Sequence, residues 1–220
     1  MMPAHPVPAR SPDRADLVVH IVDDDEAVRR SLALLLASFS IATETHATGE
    51  ELLGKLAVLR PGCLVVDIRM PGINGLELQE ELARRGCRLP VVIVTGHADV
   101  GLAVRAMKAG AVDFIEKPYS EDDMLRAVTA GLAQVADSRD GLAAGEQARS
   151  RVAALTPRER EVLERLVAGM PNKVIAHELG ISPRTVEIHR ANLMEKLSCR
   201  SLAEVVRTAI LADLRYSRSN

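Results

Sequence analysis

The chain has 220 residues, enough for two domains, and its hydrophobic content of 47% can build a core for each. Aromatic residues make up only 2%, so these cores must consist mainly of aliphatic side chains. No apolar run approaches the length of a membrane span, and the first sixteen residues lack the apolar stretch of a signal peptide. We therefore expect no membrane association, and a disordered tail at residues 1–15.

The cysteines and the distribution of charge indicate which class of protein this is. The three cysteines, at positions 63, 87 and 199, are scattered without a CxxC pair, which argues against a disulfide framework or a zinc site and fits a reducing cytoplasm. Residues 1–150 hold 16 Lys and Arg against 22 Asp and Glu (−6), whereas residues 151–220 hold 12 against 8 (+4). A basic C-terminal part on an acidic chain hints at a nucleic-acid partner.

The first half alternates short apolar runs with helical patterns. Strands are predicted at residues 17–22, 41–46, 63–66, 91–94 and 112–115. Helices are predicted at residues 26–39, 74–85, 99–109 and 121–136, with a further short helix opened by a capping box at Thr48–Glu51. This alternation predicts a doubly wound α/β sheet.

The second half is helical. Residues 137–151 are polar, contain Gly141 and Gly145 and lack an apolar stripe, so a flexible linker is favoured over an extension of the preceding helix. Four short helices are then predicted, at residues 156–168, 172–179, 182–197 and 201–214. The second and third are joined by a tight turn beginning at Gly180, which predicts a helix-turn-helix.

Polar residues follow the predicted strands where a parallel sheet places its ligand crevice. Three acids at 23–25 follow the first strand, and Asp67 ends the third run in CLVVDIRMPGING. Thr95 and Lys117 follow the last two strands. Because clustered carboxylates repel one another, such an edge calls for a divalent cation. One acid can then act as a nucleophile while Thr95 and Lys117 receive the oxygens of a phosphoryl group.

The order and spacing of Asp23–Asp24, Asp67, Thr95 and Lys117–Pro118 resemble a response-regulator receiver domain over about residues 17–135. The stretches IVDDDEAVRRSL, DIRMPGINGLEL and VTGHADVGLAVRAMKAGAVDFIEKP are similar to the FixJ branch in particular. The resemblance implies a flavodoxin/CheY-like, five-stranded parallel sheet in the order 2-1-3-4-5. It also implies a receiver domain at 16–136, a linker at 137–151 and a DNA-binding domain at 152–220.

The resemblance also implies roles for individual residues. Asp67 would be the phosphoacceptor, although a strand-end acid that only caps a turn is the alternative. Mg²⁺, or Mn²⁺, would be held directly by Asp24 and Asp67, through water by Asp23, and by the backbone carbonyl near Arg69, while Asp25 would cap the first helix.

The resemblance also implies roles for further residues at this edge of the sheet. Lys117 would precede a cis peptide bond to Pro118. Arg69 and His97 would tune hydrolysis, unless they are solvated loop residues. Phe114 would be a switch aromatic, a role compatible with plain core packing.

The segment LTPREREVLERLVAGMPNKVIAHELGISPRTVEIHRANLMEKL resembles a LuxR-type DNA-binding domain. On the helix over 182–197, Val186, Leu193 and Leu197 share a core-facing side, and Ile188 lies opposite, where an apolar group can touch thymine methyls. Glu187 can accept from cytosine, although a plain surface acid is the alternative. The predicted DNA-binding residues are Lys173, Arg184, Thr185, Glu187, Ile188, His189, Arg190, Ala191 and Lys196.

The leading hypothesis is a phosphorylation-activated transcriptional regulator. Its expected partners are a sensor histidine kinase, double-stranded promoter DNA, RNA polymerase and, once phosphorylated, a second copy of the chain. One alternative is an aspartate-nucleophile, Mg²⁺-dependent phosphatase, but that enzyme would not need the helix-turn-helix, and position 69 holds Arg instead of a proton-donating acid. Another is a DNA-binding regulator that acts without phosphorylation, against which the intact site argues.

The helix at 99–109 is apolar over a wider arc than packing on a sheet requires. We therefore predict an exposed apolar edge at Val104, beside Lys108, that serves as the dimer interface. The resemblance supports this choice. Burial of the whole broad face within one chain is the alternative.

Overall fold

A computed structural model describes residues 17–97, 99–136, 141–212 and 214. The predicted N-terminal tail lies outside this part of the chain. The strands are β1 (Val18–Val22), β2 (Ala42–His46), β3 (Gly62–Asp67), β4 (Val91–Thr95) and β5 (Asp113–Glu116). The helices of the first half are α1 (Glu26–Ser38), α2 (Gly49–Gly54), α3 (Gly75–Arg84), α4 (Val100–Lys108) and α5 (Glu121–Ala136).

The five strands form one parallel sheet in the order β2-β1-β3-β4-β5. Strands β1, β3 and β4 are buried along their whole length, as their unbroken apolar sequences predict. One aliphatic core cluster lies on the side of α1 and α5, and another on the side of α2, α3 and α4. The doubly wound architecture is therefore confirmed.

Local sequence signals set the helix starts. Asp25 caps α1 by accepting from the backbone N–H groups of Ala27 and Val28. Thr48 caps α2 by accepting from Glu51 N, but the Glu51 carboxylate accepts from Ala47 N, so the cap is not the reciprocal box we predicted.

The second half contains α6 (Gly141–Ala153), α7 (Pro157–Val167), α8 (Asn172–Leu179), α9 (Pro183–Leu197) and α10 (Leu202–Leu211). Thr156 and Glu159 form a reciprocal capping box at the start of α7. Gly180 ends α8 in the left-handed region, at a φ of 64°, and Ser182 then caps α9. Helices α7 to α10 and the helix-turn-helix formed by α8 and α9 match the prediction.

The preference for a flexible linker is wrong over residues 141–151, which are helical; residues 137–140 lie outside the described part. Ala148 and Val152 of α6 are buried, and α6 contacts α9 and α10. The Arg151 guanidinium donates to the Leu197 carbonyl at 3.2 Å. Tertiary contacts thus outweigh the low helix propensity of the two glycines.

The two halves of the chain pack against each other through α4 and α10. Val104 is only 4% exposed and shares a hydrophobic cluster with Ala203 and Val206 of α10. The prediction that Val104 is exposed is therefore wrong. The excess width of the α4 apolar face is covered by a helix of the same chain, whereas Lys108 is exposed.

Candidate functional site

Two carboxylates and one ammonium meet at the carboxyl edge of the sheet. Lys117 Nζ lies 2.7 Å from Asp67 Oδ1 and 2.9 Å from Asp23 Oδ2. Both acids are buried, whereas Asp24, the next residue, is exposed. Burial by itself would lower the pKa of Lys117, but hydrogen bonds to Asp67 and Asp23 outweigh it and raise that pKa above its usual range.

Backbone groups hold the two acids in place. The second oxygen of Asp67 accepts from Arg69 N at 2.5 Å, and Asp23 Oδ1 accepts from Asp25 N at 2.9 Å. The start of α3 packs so closely behind the acid that a Cβ at Gly75 would collide with the Asp67 carbonyl. The position of the Asp67 carboxylate is therefore fixed from several sides.

The remaining predicted residues lie at or after the ends of the neighbouring strands. Thr95, fully buried at the end of β4, accepts from His97 N at 3.2 Å. Arg69 and His97 are exposed. The peptide bond between Lys117 and Pro118 is cis.

Phe114 is buried on β5, and its ring also faces the helical second half of the chain. It lines a cavity of about 350 Å³ between the two halves, together with Asp99, Val100, Ala103, Glu116, Arg190, Ser201, Leu202 and Ala203. The Phe114 ring therefore shares this cavity with Arg190 of α9 and with residues at the beginning of α10.

The α9 helix presents the predicted outward face to solvent. Ile188 is 53% exposed, and Arg184, Glu187 and Ala191 are exposed as well. Val186, Leu193 and Leu197 are fully buried, as the helical wheel predicts. Lys173 is exposed at the start of α8.

Several polar residues of this set are held by protein partners. Lys196 Nζ lies 2.7 Å from the buried Glu159 carboxylate. Burial raises the pKa of Glu159, but bonds from Lys196 and Thr156 N–H hold it below its usual value. Arg190 donates to Asn172 Oδ1 at 2.8 Å, and Thr185 N donates to Ser182 Oγ; His189 is half-buried.

Comparison with known proteins identifies both halves. The response regulator receiver domain matches residues 19–129, and the luxR family of bacterial regulatory proteins matches residues 153–209. The transcriptional regulatory protein FixJ of Azorhizobium caulinodans is 50% identical over 90% of this chain and 94% of its own length. The chain belongs to the FixJ-like response regulators.

Other relatives agree with this assignment. FixJ of Rhizobium meliloti is 45% identical over 89% of this chain and 96% of its own. The crystal structure of full-length FixJ from B. japonicum, at 43% identity, has a TM-score of 0.53 and covers 89% of this chain and 97% of that one. A receiver domain followed by a LuxR-type domain is consistent with phosphorylation-activated transcription regulation. Within the described residues, no helix is long and apolar enough to cross a membrane.

One polar cluster was missed at the sequence level. His20 on β1 and Glu44 and His46 on β2 bring two imidazoles and a carboxylate together beside the receiver core. The available signal was weak: Glu44 and His46 are two residues apart, which places both on one face of a strand, and β1 carries a histidine within an apolar run.

Proposed function

We propose that this FixJ-like response regulator accepts a phosphoryl group on Asp67 from a sensor histidine kinase and then binds promoter DNA as a dimer. The observation that carries the proposal is the contact of Lys117 with both Asp67 and Asp23. It holds a nucleophilic carboxylate beside a cation that can receive phosphoryl oxygens.

In the transfer step, an Asp67 carboxylate oxygen attacks the phosphorus of a phosphohistidine. The new O–P bond forms as the P–N bond breaks, and the imidazole nitrogen keeps the bonding electron pair. Lys117 and the Thr95 hydroxyl, at the ends of neighbouring strands, would then bind the phosphoryl oxygens. Arg69 and His97, both exposed, would control the access of water to the product and thereby its lifetime.

Receiver domains generally bind Mg²⁺ through acidic residues, and the residues of this edge fit such an ion. Asp23, Asp24 and Asp67 bring three negative charges to an edge that Lys117 neutralises with only one positive charge, and all their donors are hard oxygens. We propose that these acids and the Arg69 carbonyl hold Mg²⁺, or Mn²⁺. The ion would screen the acids and the incoming phosphoryl group from each other.

Regulation would act through the contact between α4 and α10. In the structure the α4 face that we expect to form the dimer is covered by Ala203 and Val206. Phosphorylation would shift Thr95 and Phe114, loosen the cavity that Phe114 shares with the start of α10, and separate α4 from α10. A two-state change of this kind requires only that one ligand favour the open state.

The exposed face of α9 would then enter the major groove. Exposed Ile188 would contact thymine methyls, with Glu187 and Ala191 beside it, and Arg184 and Lys173 would contact phosphates. We also propose that the protein acts in the cytoplasm with RNA polymerase as a partner.

The phosphoacceptor is tested by incubating the full chain with Mg²⁺ and acetyl phosphate. Asp67→Asn should abolish incorporation, because an amide is not a nucleophile at phosphorus. Asp25→Asn is the matched control, since Asn also caps helices and the Asp25 carboxylate accepts from the backbone N–H groups at the start of α1. Stoichiometric labelling of Asp67→Asn would refute the assignment.

The regulatory step is tested separately on α10. Ala203→Asp places a charge in the α4 contact but outside the core of the LuxR-type domain, so it should raise promoter binding without phosphorylation. Ile210→Asp, at an exposed position of the same helix, is the control. Unchanged DNA affinity of Ala203→Asp, measured by fluorescence anisotropy, would contradict regulation through this contact.

A further inference from the structure

Three metal-binding side chains converge at the edge of the receiver sheet, away from the phosphoacceptor. His20 Nδ1 lies 3.4 Å from Glu44 Oε2 and 3.4 Å from His46 Nε2. The three candidate ligand atoms all lie within 4.8 Å of one another. In a tetrahedral site with Zn–N bonds of about 2.05 Å, neighbouring ligand atoms are about 3.3 Å apart, which the two 3.4 Å separations match.

The hydrogen bond of His20 Nε2 leaves Nδ1 as the nitrogen that can bind a metal ion. Its Nε2 lies 3.0 Å from the Arg60 carbonyl, which can only accept, so Nε2 carries the proton. In the neutral ring, Nδ1 then presents a lone pair both towards Glu44 Oε2, which is also an acceptor, and towards His46 Nε2, which donates to it when no ion is bound. A backbone carbonyl behind a histidine is the arrangement found behind metal-bound imidazoles.

The second histidine also lacks a complete set of partners. His46 is 2% exposed, and among the described residues its Nδ1 has no hydrogen-bond partner. Glu51 Oε1 lies 3.9 Å from that atom and would be its outer partner if Nε2 binds a metal.

We propose that His20, His46 and Glu44 form a binding site for a divalent transition-metal ion of the Zn²⁺ class. Two imidazoles and one carboxylate suit such ions, whereas Mg²⁺ prefers an all-oxygen site. Glu44 is partly exposed at the edge strand β2, so an ion can reach the cluster from that side. The positions of the cysteines did not indicate this site, because its ligands are two histidines and a glutamate.

The site would connect two parts of the receiver. His20 belongs to β1 and the other two ligands to β2, so an ion would fasten the edge strand to the sheet. The His46 carbonyl accepts from Asp23 N at 3.3 Å, so the same ion would stiffen the start of the acidic loop.

The test uses the full chain, reduced and with excess Mg²⁺ so that the acidic edge is filled. Zn²⁺ is titrated against a chromophoric chelator, and thermal unfolding is followed with and without Zn²⁺. We expect one high-affinity ion per chain and a higher Tm with Zn²⁺. His46→Gln and Glu44→Gln should each weaken binding at least about tenfold and remove the Tm increase. His177→Gln and Glu80→Gln, both exposed, are the matched controls.

Co²⁺ provides an independent measurement of ligand type. A bound Co²⁺ should give visible bands of a tetrahedral nitrogen and oxygen site without a thiolate charge-transfer band. Because Glu44 is partly exposed, Glu44→Gln should fold normally and keeps the test valid if His46→Gln does not. Absence of a tight Zn²⁺ site in the unaltered chain, equal affinity of Glu44→Gln, or a thiolate band would each overturn the proposal.

Discussion

In each domain a lysine contacts a buried carboxylate, and the two contacts differ in their balance of charge. In the receiver, Lys117 faces two carboxylates, with Asp24 beside them. In the LuxR-type domain, Lys196 faces only Glu159, whose carboxylate also accepts from Thr156 N at 2.8 Å. The first contact leaves negative charge that a cation can bind, whereas the second is complete. The number of charges, more than their burial, separates a candidate binding site from a structural contact.

Removing the lysine from the first contact should have the largest effect. Lys117→Ala leaves two buried acids facing each other, so without Mg²⁺ the receiver should lose on the order of 3 kcal/mol of stability. Mg²⁺ should restore much of this loss, because a dication replaces the ammonium. Thermal unfolding with and without Mg²⁺ measures both effects. A loss that Mg²⁺ leaves unchanged would contradict the proposed charge balance.

The equivalent change in the second contact should be smaller and independent of metal. Lys196→Ala leaves Glu159 with the Thr156 N–H as its partner, so the LuxR-type domain should lose about 1 kcal/mol. The same unfolding experiment should show no difference between buffers with and without Mg²⁺. If Mg²⁺ rescued this variant, the two contacts would not differ as described.

Because Lys196 contacts Glu159, we expect it to contribute less to DNA binding than Lys173 does. Lys173 is exposed, so Lys173→Ala should reduce the slope of log K against log salt by about one. Ile188→Ala should leave that slope unchanged but cost about 1 kcal/mol at A·T positions. We expect Lys196→Ala to change the slope less than Lys173→Ala does, and titration at several salt concentrations checks this.

Asp113 is a further buried acid, and removing its charge should have the smallest effect of these changes. Burial raises the pKa of Asp113, Phe114 N–H opposes this, and nearby Glu204 adds to it. A raised carboxyl pKa means that the native state loses stability as pH rises from the unfolded value, 3.8, through the folded value. Asp113→Asn should therefore raise Tm at pH 7 by about 2–4 °C and lose this advantage near pH 4.

The control for this variant is Asp123→Asn. A hydrogen bond from Ser120 lowers the pKa of Asp123, so removing its charge should not stabilise the protein at pH 7. An equal gain in Tm for both variants would mean that the burial of Asp113 is not the cause.

Much of this architecture could be predicted because its signals are local. Apolar runs that end in Asp67 or Thr95 indicate strand ends, and the Thr156 capping box marks the start of α7. The predictions for α6 and Val104 failed because long-range contacts decide both. A helical wheel gives the width of an apolar face but does not reveal which element covers it. The His20 cluster escaped prediction because it depends on the register of β1 against β2.

The covering of α4 by α10 has a quantitative consequence for spontaneous activation. If dimers form through α4, two chains must be open at the same time, so the population of dimers depends on the square of the open fraction. A tenfold rise in opening would then give about a hundredfold rise in dimers at low occupancy. The α4–α10 contact would thus lower background transcription in proportion to the square of the open fraction. For the same reason, transcription would rise more steeply than the open fraction when the kinase phosphorylates the chain.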